Sequence, residues 1–109
     1  MTKGSIPDPK AAEEFFRGKV SFTTGPVDVK KMLSEGEDVV LVDVRQGEDY
    51  AKGHIPGAVS LPYEQWAHPT GLSKNAKNIF YCYSQTCHLA SRAAYKFAAL
   101  GYPAVEMEG

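Results

Sequence analysis

The sequence of 109 residues predicts an α/β domain built on a parallel or mostly parallel sheet. Short apolar runs rich in β-branched residues, such as residues 39–42, read as strands, and amphipathic segments with helical spacing lie between them. Glycine and proline stand at the borders of these segments. Alternation of strand and helix signals is typical of a parallel α/β sheet. A chain of this length holds one hydrophobic core and not two.

Each predicted element follows from the period of its apolar residues. Residues 39–42, Val-Val-Leu-Val, form a continuous apolar run, as in a strand buried on both faces. Apolar residues recur at intervals of three and four over 88–100, which predicts a helix, and Gly101 supplies its left-handed end. In order, we predict a helix at 8–17, a helix from Pro26 to Gly36, a strand at 39–42, a short helix at 48–52, a strand at 58–61, a loop at 62–78 with a helical turn near 64–67, a strand at 79–82, a helix at 88–100 and a strand at 103–107.

Net charge, apolar runs and the number of cysteines limit the expected cellular compartment and the expected binding partners. The formal net charge of −1 gives no electrostatic basis for binding nucleic acid or an anionic membrane. No apolar run approaches the roughly 20 residues that a spanning helix needs. Residues 1–19 are polar and unlike a signal peptide, and two cysteines without one argue against a disulfide scaffold. We therefore expect a cytoplasmic protein with no nucleic-acid or membrane partner.

Cys82 is the candidate nucleophile. It lies at the carboxyl end of a predicted strand, where ligand sites of open α/β sheets are found, and a few residues before a helix. Backbone N–H groups of the loop between them can converge into an anion cradle that stabilises a thiolate. A buried cysteine that acts only as a small hydrophobic residue is the alternative. The loop and the helix start contribute Tyr83, Ser84, Gln85, Thr86, Cys87 and His88 as candidate binding residues.

Several stretches together resemble the rhodanese-like domain family. The similarity runs from about Gly25 to Gly109, and the order in which the motifs follow one another is specific to this family. The matching stretches are LVDVR at 41–45, EDY at 48–50, GHIPGA at 53–58, LP at 61–62, IFYC at 79–82, AA at 93–94, LGY at 100–102 and VEMEG at 105–109.

The resemblance implies a doubly wound, mostly parallel five-stranded sheet flanked by helices over 25–109, after an N-terminal extension with a short helix at 1–24. It implies a sulfurtransferase without a cofactor. Cys82 would take a sulfane sulfur from thiosulfate, a polysulfide or a persulfide, and pass it to a thiol, cyanide or a protein acceptor through a cysteine persulfide. The family usually continues beyond this point with a further helix, so a fold lacking that C-terminal helix stays open, as do monomer and homodimer.

The loop CYSQTC at 82–87 departs from the family pattern, in which a Gly and an Arg often follow the Cys. The missing Arg removes a cation that would bind an anionic donor, and His88 and Arg92 are the candidates to replace it. Cys87 is either a resolving thiol or an idle residue at the helix start. The alternative function is therefore a non-catalytic or redox-sensing module that uses Cys82 and Cys87. A related phosphatase would need an Arg where His88 stands.

Asp43 and Arg45 follow the strand at 39–42 and are expected at the same sheet edge as Cys82. They either support the active-site loop with a positive local field or form a buried ion pair that ties the loop to the sheet, and we favour the ion pair. His54 is expected to hold the turn at 53–57 and not to act as a base. We expect no metal site, because two cysteines and two histidines would have to converge.

Overall fold

The computed structural model describes residues 6–83 and 88–108. Within these ranges a single sheet has five strands in the order β1-β5-β4-β2-β3, and every neighbouring pair is parallel. The expected α/β fold is confirmed, with a sheet that is parallel throughout. The strands are β1 (Thr23–Thr24), β2 (Val39–Asp43), β3 (Val59–Ser60), β4 (Lys77–Tyr81) and β5 (Ala104–Met107).

The first two helices begin at a proline. Asp8 caps the first helix by accepting a hydrogen bond from the Lys10 N–H, and Pro9 occupies its first turn, where a missing N–H costs nothing. Gly101 has a φ of 93° just after the last helix, in the left-handed region that suits glycine. The helices are α1 (Pro9–Phe22), α2 (Pro26–Ser34), α3 (Gly47–Lys52) and α4 (Leu89–Ala99), with a 3₁₀ turn at Tyr63–Gln65.

Two apolar clusters cover the two faces of the sheet. Adjacent residues of β2 divide between them, with Val42 in the cluster under α4 and Leu41 in the cluster under α2. Ile79 and Phe80 divide in the same way in β4. The central strands are therefore buried on both faces, which explains their continuous apolar sequences. The larger cluster consists of Val42, Val44, Leu61, Trp66, Phe80, Ala90, Ala93 and Phe97.

Most predicted boundaries are displaced by one or two residues, and three elements illustrate the reasons. Helix α1 continues to Phe22 and does not end at residue 17, because Gly18 is accommodated within it. The short strand β1 was missed, since two threonines carry no alternating pattern. Strand β4 spans 77–81 and not 79–82, so its start at Lys77 and Asn78 was assigned to a loop on account of their polarity.

Asn78 is fully buried despite its polarity, because its side chain replaces the hydrogen bonds that it loses from water. Its amide donates to the carbonyls of Ser73 and Pro103 at 2.7 and 2.8 Å, and its oxygen accepts from the Ser73 N–H at 2.9 Å. Asn78 thus joins the preceding loop to the start of β5. Across the described ranges, no helix combines the length and the apolar character that crossing a membrane requires.

Candidate active site

Cys82 comes directly after the last residue of β4, at the carboxyl edge of the sheet. It is half-buried and packs against the cluster under α4. Its sulfur is disulfide-bonded in this structure, so any nucleophile at this position is the reduced form. Of the predicted loop, Tyr83 and His88 are described, whereas Ser84, Gln85, Thr86 and Cys87 lie outside the described residues.

Asp43 ends β2 beside the end of β4 and is fully buried. Its carboxylate accepts hydrogen bonds from the Arg45 backbone N–H at 2.9 Å, from Arg45 Nε at 3.0 Å and from Arg45 Nη2 at 2.8 Å. The guanidinium also donates to the Gly53 carbonyl at 2.6 Å. The hydrogen bond to Asp43 is the main reason that the pKa of Arg45 is raised. Through these contacts the ion pair connects the loop after β2 and the end of α3 to the sheet.

Tyr81 adds a contact that the sequence analysis did not anticipate. Its hydroxyl donates to Asp43 Oδ2 at 3.1 Å and accepts from the Ile55 N–H at 3.2 Å. Burial is the largest cause that raises the pKa of Tyr81 to about 12, and the Asp43 charge adds to it. The sequence carried no signal for this contact, because it depends on the register in which Asp43 and Tyr81 end two adjacent parallel strands.

Tyr83 connects the start of the candidate loop to α3. Its hydroxyl donates to Asp49 Oδ2 and accepts from the Gln46 N–H at 3.4 Å. The hydrogen bond to Asp49 is the first cause that raises the pKa of Tyr83. The Arg45 guanidinium lies 5.8 Å from the centre of the Tyr83 ring, within the range of a cation–π contact. These contacts fix the chain one residue after Cys82.

His54 lies in the turn between α3 and β3. Its Nδ1 is 2.7 Å from the Tyr50 carbonyl oxygen, and its ring stacks on the Tyr50 ring at 3.6 Å between centroids. The Tyr50 hydroxyl donates to the Ala58 carbonyl at 2.7 Å. The two aromatic residues therefore hold the turn closed at its base, as expected of a structural histidine.

Not every predicted site residue joins this cluster. Asp43, Arg45, Tyr81 and Tyr83 are connected by contacts at the carboxyl edge that Cys82 shares. His88, at the start of α4, and Arg92, one turn on, are both exposed. Among the described residues, no group of three or more His, Cys, Asp or Glu is arranged to hold a metal ion.

The family match covers most of the chain. Residues 25–109 match the family model for the rhodanese-like domain. Since this match extends over more than half of the sequence, the chain belongs to the rhodanese-like domain family. This agrees with the motifs around Asp43, His54 and Cys82.

Solved structures of similar proteins share the fold. The BH2092 protein from Bacillus halodurans is 35% identical and superposes with a TM-score of 0.80, covering 94% of this chain and 77% of that one. A rhodanese-like domain protein from Staphylococcus aureus is 27% identical with a TM-score of 0.72, covering 81% of this chain and 85% of that one. The first of these alignments includes nearly all of this chain.

A curated relative is a regulator. The HTH-type transcriptional regulator Rv0324 from Mycobacterium tuberculosis is 38% identical over 60 residues, which are 54% of this chain and 26% of that protein. The chain therefore spans about a quarter of the length of this curated relative.

Proposed function

We propose that the protein is a sulfurtransferase that carries a sulfane sulfur as a persulfide on reduced Cys82. The observation that carries this proposal is the position of Cys82 directly after β4, at the carboxyl edge of a rhodanese-like sheet. Parallel α/β sheets bind their ligands at this edge. Cys82 is half-buried, packs against the core cluster under α4 and begins a polar loop.

The reaction would proceed in two displacements. The Cys82 thiolate attacks the outer sulfur of a donor, forming a S–S bond to Cys82 while the donor's own S–S bond breaks. With thiosulfate the leaving group is sulfite, and with a thiol persulfide it is the thiolate. An acceptor thiolate or cyanide then attacks the outer sulfur of the Cys82 persulfide, and the Cys82 thiolate leaves. A thiol reductant must first convert the disulfide of Cys82 to the thiolate.

The surrounding residues favour a thiol persulfide donor over thiosulfate. Arg45 follows Asp43 at this edge, and its guanidinium donates hydrogen bonds to Asp43 and to the Gly53 carbonyl. Its charge therefore stabilises the edge and is largely neutralised for a dianionic donor. The loop lacks the arginine that many family members place after the cysteine. A donor that carries less charge depends less on such a cation.

We propose that the loop residues bind the persulfide. Ser84, Gln85 and Thr86 supply backbone N–H groups and side-chain donors that suit a persulfide anion, and His88 follows them at the start of α4. Cys87 would act as a secondary thiol. Tyr83 contributes by holding the first residue of this loop against α3 through Asp49 and Gln46.

A redox-responsive or regulatory module is the second candidate. Two observations favour it: the disulfide at Cys82, and the relationship of part of the chain to a transcriptional regulator. In that case reversible oxidation of Cys82, and not sulfur transfer, would be the functional event. An oxidant would remove two electrons from a pair of thiols to form the disulfide, and a dithiol would return them.

Turnover kinetics separate the two candidates. The chain is reduced with a dithiol, freed of it, and supplied with thiosulfate or a small thiol persulfide, and thiocyanate formation from cyanide is followed. We expect turnover with the wild type and with Cys87→Ser, no turnover with Cys82→Ser, and a higher kcat/KM for the persulfide donor. Turnover that persists in Cys82→Ser, or that is absent from the reduced wild type with both donors, would contradict the proposal.

A further inference from the structure

Helix α1 exposes more than half of each of its large apolar side chains. None of its 14 residues is buried, although it carries three phenylalanines and a valine. The exposed fractions are 64% for Phe15, 56% for Phe16, 79% for Val20 and 63% for Phe22. With 100° between successive residues, these side chains and two alanines cover about half of the helix circumference.

A helix of this length and composition is not stable on its own. Isolated helices shorter than about 12–15 residues are marginal even when rich in alanine, and α1 contains phenylalanine, valine and Gly18, which are weaker helix formers. Near its C-terminal end, Lys19 forms an ion pair of 2.9 Å with Glu108. The side chains of its first three turns are mostly exposed, so their apolar face is open to a partner.

The apolar face of α1 continues into a groove against α4. This groove has a volume of about 470 Å³, and Phe22 and Gly18 of α1 face Ala94, Tyr95 and Ala98 of α4 across it. Tyr95 is 81% exposed at its rim. The groove and the aromatic side chains of α1 together make one surface, which we call the α1–α4 face.

The charges of α1 favour a second copy over a membrane. Its polar side carries Glu13 and Glu14 as well as Lys10 and Arg17, whereas helices that lie on anionic lipid are rich in cations there. Glu13 and Arg17 are one turn apart on the same flank of Phe16 and Val20. Two antiparallel copies of α1 therefore bring Glu13 of each to Arg17 of the other, with opposite charges matched at both ends.

The exposed apolar area is sufficient for a small stable interface. At roughly 150–250 Å² for an aromatic side chain, the exposed parts of the three phenylalanines, Val20 and Tyr95 amount to roughly 650 Å². A symmetric pair would bury about twice this area, within the range of roughly 1,200–2,000 Å² for standard interfaces. A two-fold axis uses the same surface on both copies, so no further partner is needed.

We propose that the α1–α4 face is a homodimer interface, in which two copies of this chain pack their α1 helices antiparallel. The inference does not depend on sulfur transfer. Dimer formation also provides the cover that keeps the first turns of α1 helical.

The test compares two valines that are equally exposed on different helices. Val20 of α1 is 79% exposed and Val27 of α2 is 82% exposed. Sedimentation velocity of the full chain over about 1–500 µM spans dissociation constants in the micromolar range. We expect a dimer for the wild type and for Val27→Glu, and a monomer with reduced helical circular dichroism for Val20→Glu.

Charge exchange tests the antiparallel arrangement. Glu13→Arg and Arg17→Glu should each weaken the dimer several-fold, and the double exchange should restore it, because opposite charges then meet again across the two-fold axis. A wild type that stays monomeric throughout the concentration range would overturn the proposal. A monomer that sediments with anionic vesicles would overturn it in favour of membrane binding. Equal dissociation of Val20→Glu and Val27→Glu would overturn it as well.

Discussion

Asp43 is the residue whose loss we expect to cost most at the candidate site. Asp43→Ala would leave Arg45 and the Tyr81 hydroxyl without their acceptor in a buried setting. Breaking a buried ion pair from one side costs about 3–5 kcal/mol, and we expect about 3 because the Arg45 side chain keeps 19% of its exposure. Urea unfolding measures this loss of unfolding free energy.

The matched control is an ion pair on the surface. Glu37 lies 3.2 Å from Lys77, with side chains 41% and 49% exposed, so Glu37→Ala should cost between about 0 and 1 kcal/mol. If both variants lose the same stability, the Asp43 cluster does not hold the edge as described.

Tyr81 gives the protein a specific response to alkaline pH. Its pKa rises from a usual value of 10.0 to about 12 on folding, chiefly through burial, so between these two values the unfolded chain releases a proton that the folded chain retains. The stability that this tyrosine contributes is fully present below pH 10 and is lost as the pH rises through about 12.

We therefore expect one of the six tyrosines to titrate last in a tyrosinate absorbance measurement. Tyr81→Phe should remove that final step and flatten the fall of unfolding free energy above pH 10. An unchanged titration curve in Tyr81→Phe would contradict the assignment.

At the scale of single residues, the sequence motifs located several residues of the candidate site but did not reveal the contacts between them. Asp43, Arg45 and Cys82 were selected because they follow apolar strands. Tyr81 was not, since a tyrosine inside an apolar run looks like core, and its hydroxyl finds Asp43 only through the register between two strands that are distant in sequence. Long-range register is not encoded in any local pattern.

At the scale of elements, Asn78 holds the start of β4 to its surroundings. Asn78→Ala would remove the side-chain hydrogen bonds to the half-buried Ser73, whereas the Pro103 carbonyl would keep the backbone N–H of residue 78 at 3.0 Å, and we expect a loss of about 1–3 kcal/mol. Asn75→Ala, an exposed asparagine three residues earlier, should change stability by less than about 0.5 kcal/mol. Denaturant unfolding of the two variants side by side measures the difference, and a similar loss for both would contradict this role.

The same asparagine explains why β4 was placed two residues late. Strand prediction from sequence relies on apolar and β-branched residues, and Lys77 and Asn78 offer neither. By contrast, α2 and α4 were located well, because proline, glycine and a clear helical period mark them. The extent of α1 was underestimated, since Gly18 weakens the helical pattern of its sequence although the helix continues through it.

At the scale of the whole molecule, the alternation of apolar runs and amphipathic segments was enough to predict a parallel α/β sheet. The resemblance to the rhodanese-like family added the fifth strand and the doubly wound arrangement. The antiparallel dimer proposed for the α1–α4 face also belongs to this scale, because it accounts for an element that the single chain leaves uncovered.

The measurement that tests the central claim most directly is the intact mass of the reduced chain. Wild type, Cys82→Ser and Cys87→Ser are incubated with a small thiol persulfide, freed of it, and then given cyanide. We predict that the wild type and Cys87→Ser gain the mass of one sulfur atom and lose it to cyanide, whereas Cys82→Ser gains none. A wild type that gains no removable sulfur, yet forms a disulfide on oxidation, would contradict sulfur transfer and favour the redox-responsive module.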